Sequence, residues 1–168
     1  MKKFMALFAA LALVLTMAIP AMAASITIDG TGKTYKAYKL LNATVSGDKV
    51  AYTVNDTYRS ALEAVTVKNT DKEIVAYINV FTKNSTQLNE FAEAVYNKIK
   101  SGAADYTTTN NVFADVAQGY YLIAETEVAD GGEDTYSLLM LDTAGENNLT
   151  VKSKESVPQL EKKIQEKN

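Results

Sequence analysis

VFADVAQGYYLIAETEV, residues 112–128, carries strand signals, and Tyr120 to Ala124 within it is an unbroken aromatic and apolar run. Tyr120 to Thr126 reads as a largely buried strand, because a short aromatic and aliphatic run bounded by turn residues fits a sheet with little solvent contact. Downstream, Ala129 to Asp134 (ADGGED) reads as an acidic glycine turn, and Thr135 to Leu141 as the returning partner strand. Asn147 to Lys154 forms a final strand. Near the other end, ITIDG from Ile26 precedes a long strand-like run, YKAYKLLNATV, from Tyr35 to Val45. Ser46-Gly47-Asp48-Lys49 is turn chemistry and Val50 to Val54 alternates, so these residues predict a hairpin.

Between the two β regions the period changes. Asn55-Asp56 can cap a helix through Tyr58, Leu62 and Val65, and Thr70-Asp71-Lys72-Glu73 is a capping box ahead of IVAYINVF. In a third segment, capped by Asn84 or Ser85 and stopped by Gly102, residues Leu88, Phe91, Ala92, Val95 and Ile99 share one face. Such a stripe predicts a helix packed on a sheet rather than a ligand groove. Thr107 to Asn111 reads as a polar loop. The sum is α+β, mainly β: an Ig-like β-sandwich with two or three inserted helices and mostly antiparallel connections. No fixed-period repeat supports a solenoid.

Composition bounds the chemistry. Of 168 residues, 47% are hydrophobic and 22% charged, which suits a folded domain. There is no cysteine and no histidine, which removes thiol nucleophiles, disulfides, zinc-finger spacings and any Ser-His-Asp arrangement. The expectation is a protein that is not an enzyme and uses no cofactor or metal. The net charge of −3 includes Lys2 and Lys3; without them 15 basic residues face 20 acidic ones, so nucleic acid is not an expected partner.

Residues 1–23 read as a secretory signal. Lys2 and Lys3 open it, Phe4 to Ile19 forms the apolar core, and Ala21-Met22-Ala23 after Pro20 is a small-x-small cleavage site. That core is shorter than the ~20 residues a spanning helix needs, so the expectation is secretion, with no membrane attachment after cleavage before Ala24. Residues 24–154 then form the folded domain, and 155–168 a linker and the start of a following one. In that last stretch Lys162 stands between Leu160 and Ile164 on one face of a would-be strand, although a frayed, charged terminus explains the composition equally well.

Taken in order, the leader, GKTYKAYKLL (Gly32 to Leu41), GYYLIAET (Gly119 to Thr126) and the ending LTVKSK…VPQLEKK resemble the N-terminal domain of a Gram-positive, isopeptide-forming fimbrial (shaft pilin) subunit. Each motif is short, and GYYL also recurs in collagen-adhesin B-type repeats, so the ordered set carries the resemblance. It implies a cell-wall-displayed pilus protein polymerised by a sortase, with other pilin subunits and that sortase as partners and a host surface or matrix ligand as a further candidate. Such subunits end in an LPxTG-like sorting signal, which is not found here. The expectation is either the N-terminal part of a longer subunit or a secreted relative that is not anchored by itself.

The resemblance also implies sites. Family members polymerise through a lysine in a motif resembling VYPK; the matching stretch is Val151-Lys152-Ser153-Lys154, with Lys152 and Ser153 replacing the tyrosine and proline. Alternation puts Lys152 and Lys154 together on one face, so Lys154 is the first candidate for the linkage and Lys152 the second. Intramolecular isopeptide bonds in the family join a buried lysine to an asparagine beside an acid; desolvation keeps the amine neutral and the acid protonated. Lys36 or Lys39, Asp115, and Asn147 or Asn148 are conceivable members, but Lys162 is the better lysine, its asparagine lying in a following domain. Four Asn-x-Thr sequons, beginning at Asn42, Asn55, Asn84 and Asn148, are short patterns that arise by chance in such a chain. The turn from Asp130 to Asp134 lacks the spaced ligands of a calcium loop. A second hypothesis is a secreted ligand-binding or adhesin module sharing the sandwich but not polymerised.

Overall fold

Ser46 pairs with Lys49 across a two-residue loop, and Gly47 sits there at φ 57°, the left-handed conformation that a tight hairpin asks of its first loop residue. The hairpin so closed, β2 (Thr34–Ser46) and β3 (Lys49–Val54), is the one the sequence predicts. The computed structural model describes residues 23–30, 33–127 and 135–152. The leader up to residue 22, the acidic turn of 130–134, and Lys154 and Lys162 therefore lie outside the described residues.

A five-stranded sheet runs in the order β3-β2-β6-β7, with β6 spanning Gly119–Glu127 and β7 Thr135–Asp142. One edge of β2 is long enough to serve two partners: β3 pairs with Leu41 to Ser46, and a short strand β4 (Tyr106–Thr108) pairs with Tyr35 to Ala37. The sequence reads residues 107–111 as loop. The open edge of β2 beside two β-branched threonines recruits part of it into the sheet. A second sheet has the order β5-β1-β8, from β1 (Ala24–Asp29), β5 (Val112–Val116) and β8 (Asn148–Lys152). Here β5 is antiparallel to β1, whereas β8 is parallel to it.

Three helices cover the far face of the larger sheet. Asn55 Oδ1 accepts from the Thr57 amide at 3.1 Å and caps a 3-10 turn, Asp56–Tyr58, that leads into α1 (Arg59–Thr66). The predicted capping box opens α2 (Asp71–Asn79): the Glu73 amide donates to Thr70 Oγ1 at 3.3 Å. Ser85, not Asn84, caps α3 (Thr86–Ile99), its Oγ accepting from the Leu88 amide at 3.2 Å, while Asn84 turns the chain at φ 61°. All five stripe residues of α3 are buried, as the period predicts.

Side-chain phase sorts the core into two layers. On β6, Leu122 and Ala124 face the helices, while Tyr121 and Ile123 face the smaller sheet and meet Ile26, Ile28, Phe113 and Val116. The sheet is thus covered on both sides, which is why β6 reads as a buried run. On β2 a register shift between Lys39 and Leu41 breaks the phase, so that Leu40 and Leu41 both enter the helix-facing core. The backbone groups at this bulge are met from outside the ladder. Lys39 N–H donates to Asp105 Oδ2 at 2.7 Å, Lys39 C=O accepts from Asn55 Nδ2 at 2.8 Å, and Leu40 C=O accepts from the Asn55 amide at 3.0 Å. The described chain is α+β, mainly strand, with two packed sheets and a helical layer.

Candidate functional site

Of the three lysines singled out as linkage or cross-linking residues, Lys152 is described. It ends β8 opposite Asp29 of β1 in parallel register. Burial along β8 alternates: Leu149 and Val151 are half-buried, while Asn148, Thr150 and Lys152 are exposed. Val151 packs into the core between the sheets and anchors the strand. The Lys152 amine therefore stands on the solvent face at the end of the last described strand, where alternation predicts it. An exposed primary amine at a strand end is accessible to an acyl-transferring enzyme, and the chemistry available to it is nucleophilic attack once it has lost its proton.

The other conceivable isopeptide members are not brought together. Lys36, in phase with Tyr38 and Leu40, belongs to the helix-covered face of β2, and Lys39 runs alongside Gly119. Asp115 is exposed in a bulge of β5 at φ 53°, and Asn147 and Asn148 are exposed at the start of β8, in the sheet on the opposite side. Among the described residues, Lys33, just before β2, meets a buried carboxylate: its Nζ forms a close ion pair with Glu125 Oε1. Glu125 is 7% exposed, in phase with Tyr121 and Ile123 between the sheets. Sequence reasoning missed this pair. The available signal was a glutamate at an inward position of a strand otherwise apolar there.

The tyrosines form a second unread feature. Tyr106 and Tyr121 bracket the β5–β6 turn: Ala117 N–H donates to Tyr106 Oη at 3.2 Å, and Tyr121 Oη–H donates to Ala117 C=O. Tyr58 Oη–H donates to Asp105 at 2.8 Å and Tyr52 Oη–H to Asp142 at 2.5 Å. Burial comes first among the causes that raise the phenol pKa values of Tyr38, Tyr52, Tyr58 and Tyr121. Burial, with the Asp142 charge added, pushes Tyr120 from 10.0 up to about 12. A raised pKa means that the fold favours the neutral phenol. This stability is complete below pH 10 and is lost as pH climbs through about 12, by at most about 3 kcal/mol for Tyr120 alone. Unfolding is therefore expected to set in above pH 10, with phenolate absorbance and loss of circular dichroism rising together; free titration of all tyrosines with the fold intact would contradict it.

A shallow hollow lined by Glu63, Val67, Lys68, Asn69 and Glu73 is open and mixed in charge, unlike the enclosed apolar sites that hold small molecules. Among the described residues no three metal-ligating side chains gather, and no helix is long and apolar enough to cross a membrane. No family model matches the chain, and no curated protein matches it in sequence.

Proposed function

We propose that this chain is a structural, non-enzymatic subunit of a sortase-assembled cell-surface pilus, exported by its N-terminal signal, displayed at the cell wall and contributing to adhesion. The observation that carries this reading is the end of β8, which presents Lys152 to solvent two residues before Lys154 in sequence. The resembling motifs also occupy the positions that matter most for the fold. GKTYKAYKLL supplies the first half of β2, and GYYLIAET is the strand buried between both core layers.

An Ig-like relationship of the two sheets belongs to the same reading. It is supported by Tyr121, whose hydroxyl reaches back to the backbone four residues upstream at a strand-entry corner, as a tyrosine corner does. Lys154 remains the first linkage candidate and Lys152 the second, with Lys162 reserved for an intramolecular bond in a following domain.

In cells assembling the pilus, Lys154→Arg keeps the charge and removes a competent nucleophile. High-mass covalent ladders on denaturing gels are expected to disappear. Ladders that persist in Lys154→Arg and vanish in Lys152→Arg would move the role two residues upstream, to Lys152. Ladders unchanged in both would move the linkage to Lys162 or away from this domain, and ladders that do not contain this chain would favour a secreted binding module that is not polymerised.

A further inference from the structure

The first and last strands of the described chain are neighbours, and they are parallel. Ser25 to Asp29 pair with Asn148 to Lys152 in unbroken register, and the Ser25 amide adds a bond to Asn147 C=O at 2.8 Å. The chain therefore enters this ladder at one end, at Ala24, and leaves it at the other, at Lys152. Tension between those two points runs along the strands and loads all five residue pairs at once. Had the two strands been antiparallel, both exits would lie at one end and the same tension would open the pairs in succession.

The side of the ladder belonging to β1 is also held elsewhere. It pairs with β5 along its other edge and buries Ala24, Ile26 and Ile28 almost completely. The edge strand β8, anchored by half-buried Leu149 and Val151, is the part that must slide. We infer that β1 and β8 form a shear clamp, a device that resists tension applied between the two ends of the domain yet opens readily when the same strands are peeled apart. The clamp depends on strand register alone and works whether or not the chain is polymerised.

Because the chain has no cysteine, pulling points can be set by adding pairs of them. Ala23, Asp29 and Lys152 are all exposed, so handles there leave the core unaltered. Ala23→Cys with Lys152→Cys, in the full chain produced without export, pulls the ladder in shear. Asp29→Cys with Lys152→Cys pulls one matched pair directly apart and peels it. In single-molecule force spectroscopy at equal loading rate, the first rupture in the shear geometry is expected at a force at least about threefold above that in the peeling geometry. A ratio below about two overturns the clamp, since rupture would then be limited by something other than the β1–β8 register.

Discussion

Gly119→Ala is expected to lower the thermal midpoint by about 10 °C, corresponding to about 3 kcal/mol. A methyl group on this residue would lie 2.3 Å from the Leu41 carbonyl oxygen and 3.0 Å from Lys39 Cγ. The lysine stem can move; the carbonyl cannot move freely, because it belongs to the bulge of β2 that Asp105 and Asn55 hold in place. Gly119 is pinned from its other side as well. Its amide donates to Thr143 Oγ1 at 2.9 Å, and its carbonyl accepts from the Thr143 amide at 2.9 Å. The strand would have to shift away from β2 and strain both sets of bonds. A midpoint within about 2 °C of the parent would show that the bulge yields cheaply and that this close approach does not fix the register.

Lys33→Met should cost about 3 kcal/mol, read from the denaturant midpoint. The substitution keeps much of the aliphatic length but leaves the Glu125 carboxylate between the sheets without its lysine. Breaking one side of a buried pair is costlier than removing both. The double variant Lys33→Met/Glu125→Leu should therefore recover most of the loss. If Lys33→Met alone were neutral, the pair would be behaving as a surface ion pair despite the burial of its acid.

The parts of this fold that were legible in the sequence are those set by local chemistry. The Thr70 capping box, the Gly47 turn, the stripe from Leu88 to Ile99 and the apolar run of β6 each depend on residues within a few positions of one another. What escaped depends on register between distant segments. Tyr106 to Thr108 became a strand because β2 had a free edge beside it, and Asp105 gained its role only when folding set it against Lys39 and Tyr58. The parallel placement of β8 beside β1 has no local signature, since either direction buries Leu149 and Val151 alike. At the candidate site, exposure of Lys152 followed from alternation, whereas the pairing of Lys33 with Glu125 required knowing which face of β6 looks toward the start of β2.

In the proposed function, Lys154 or Lys152, at or just beyond the end of β8, carries a covalent bond to another chain. Peptide mapping by mass spectrometry of the high-mass polymer, purified from cells under denaturing conditions, tests it most directly. A branched peptide is expected in which Nζ of Lys154, or of Lys152 as second candidate, is joined by an amide to the carboxyl terminus of a different peptide. Recovery of the Val151–Lys154 stretch wholly unmodified from such a polymer, with the branch on another residue, would contradict it.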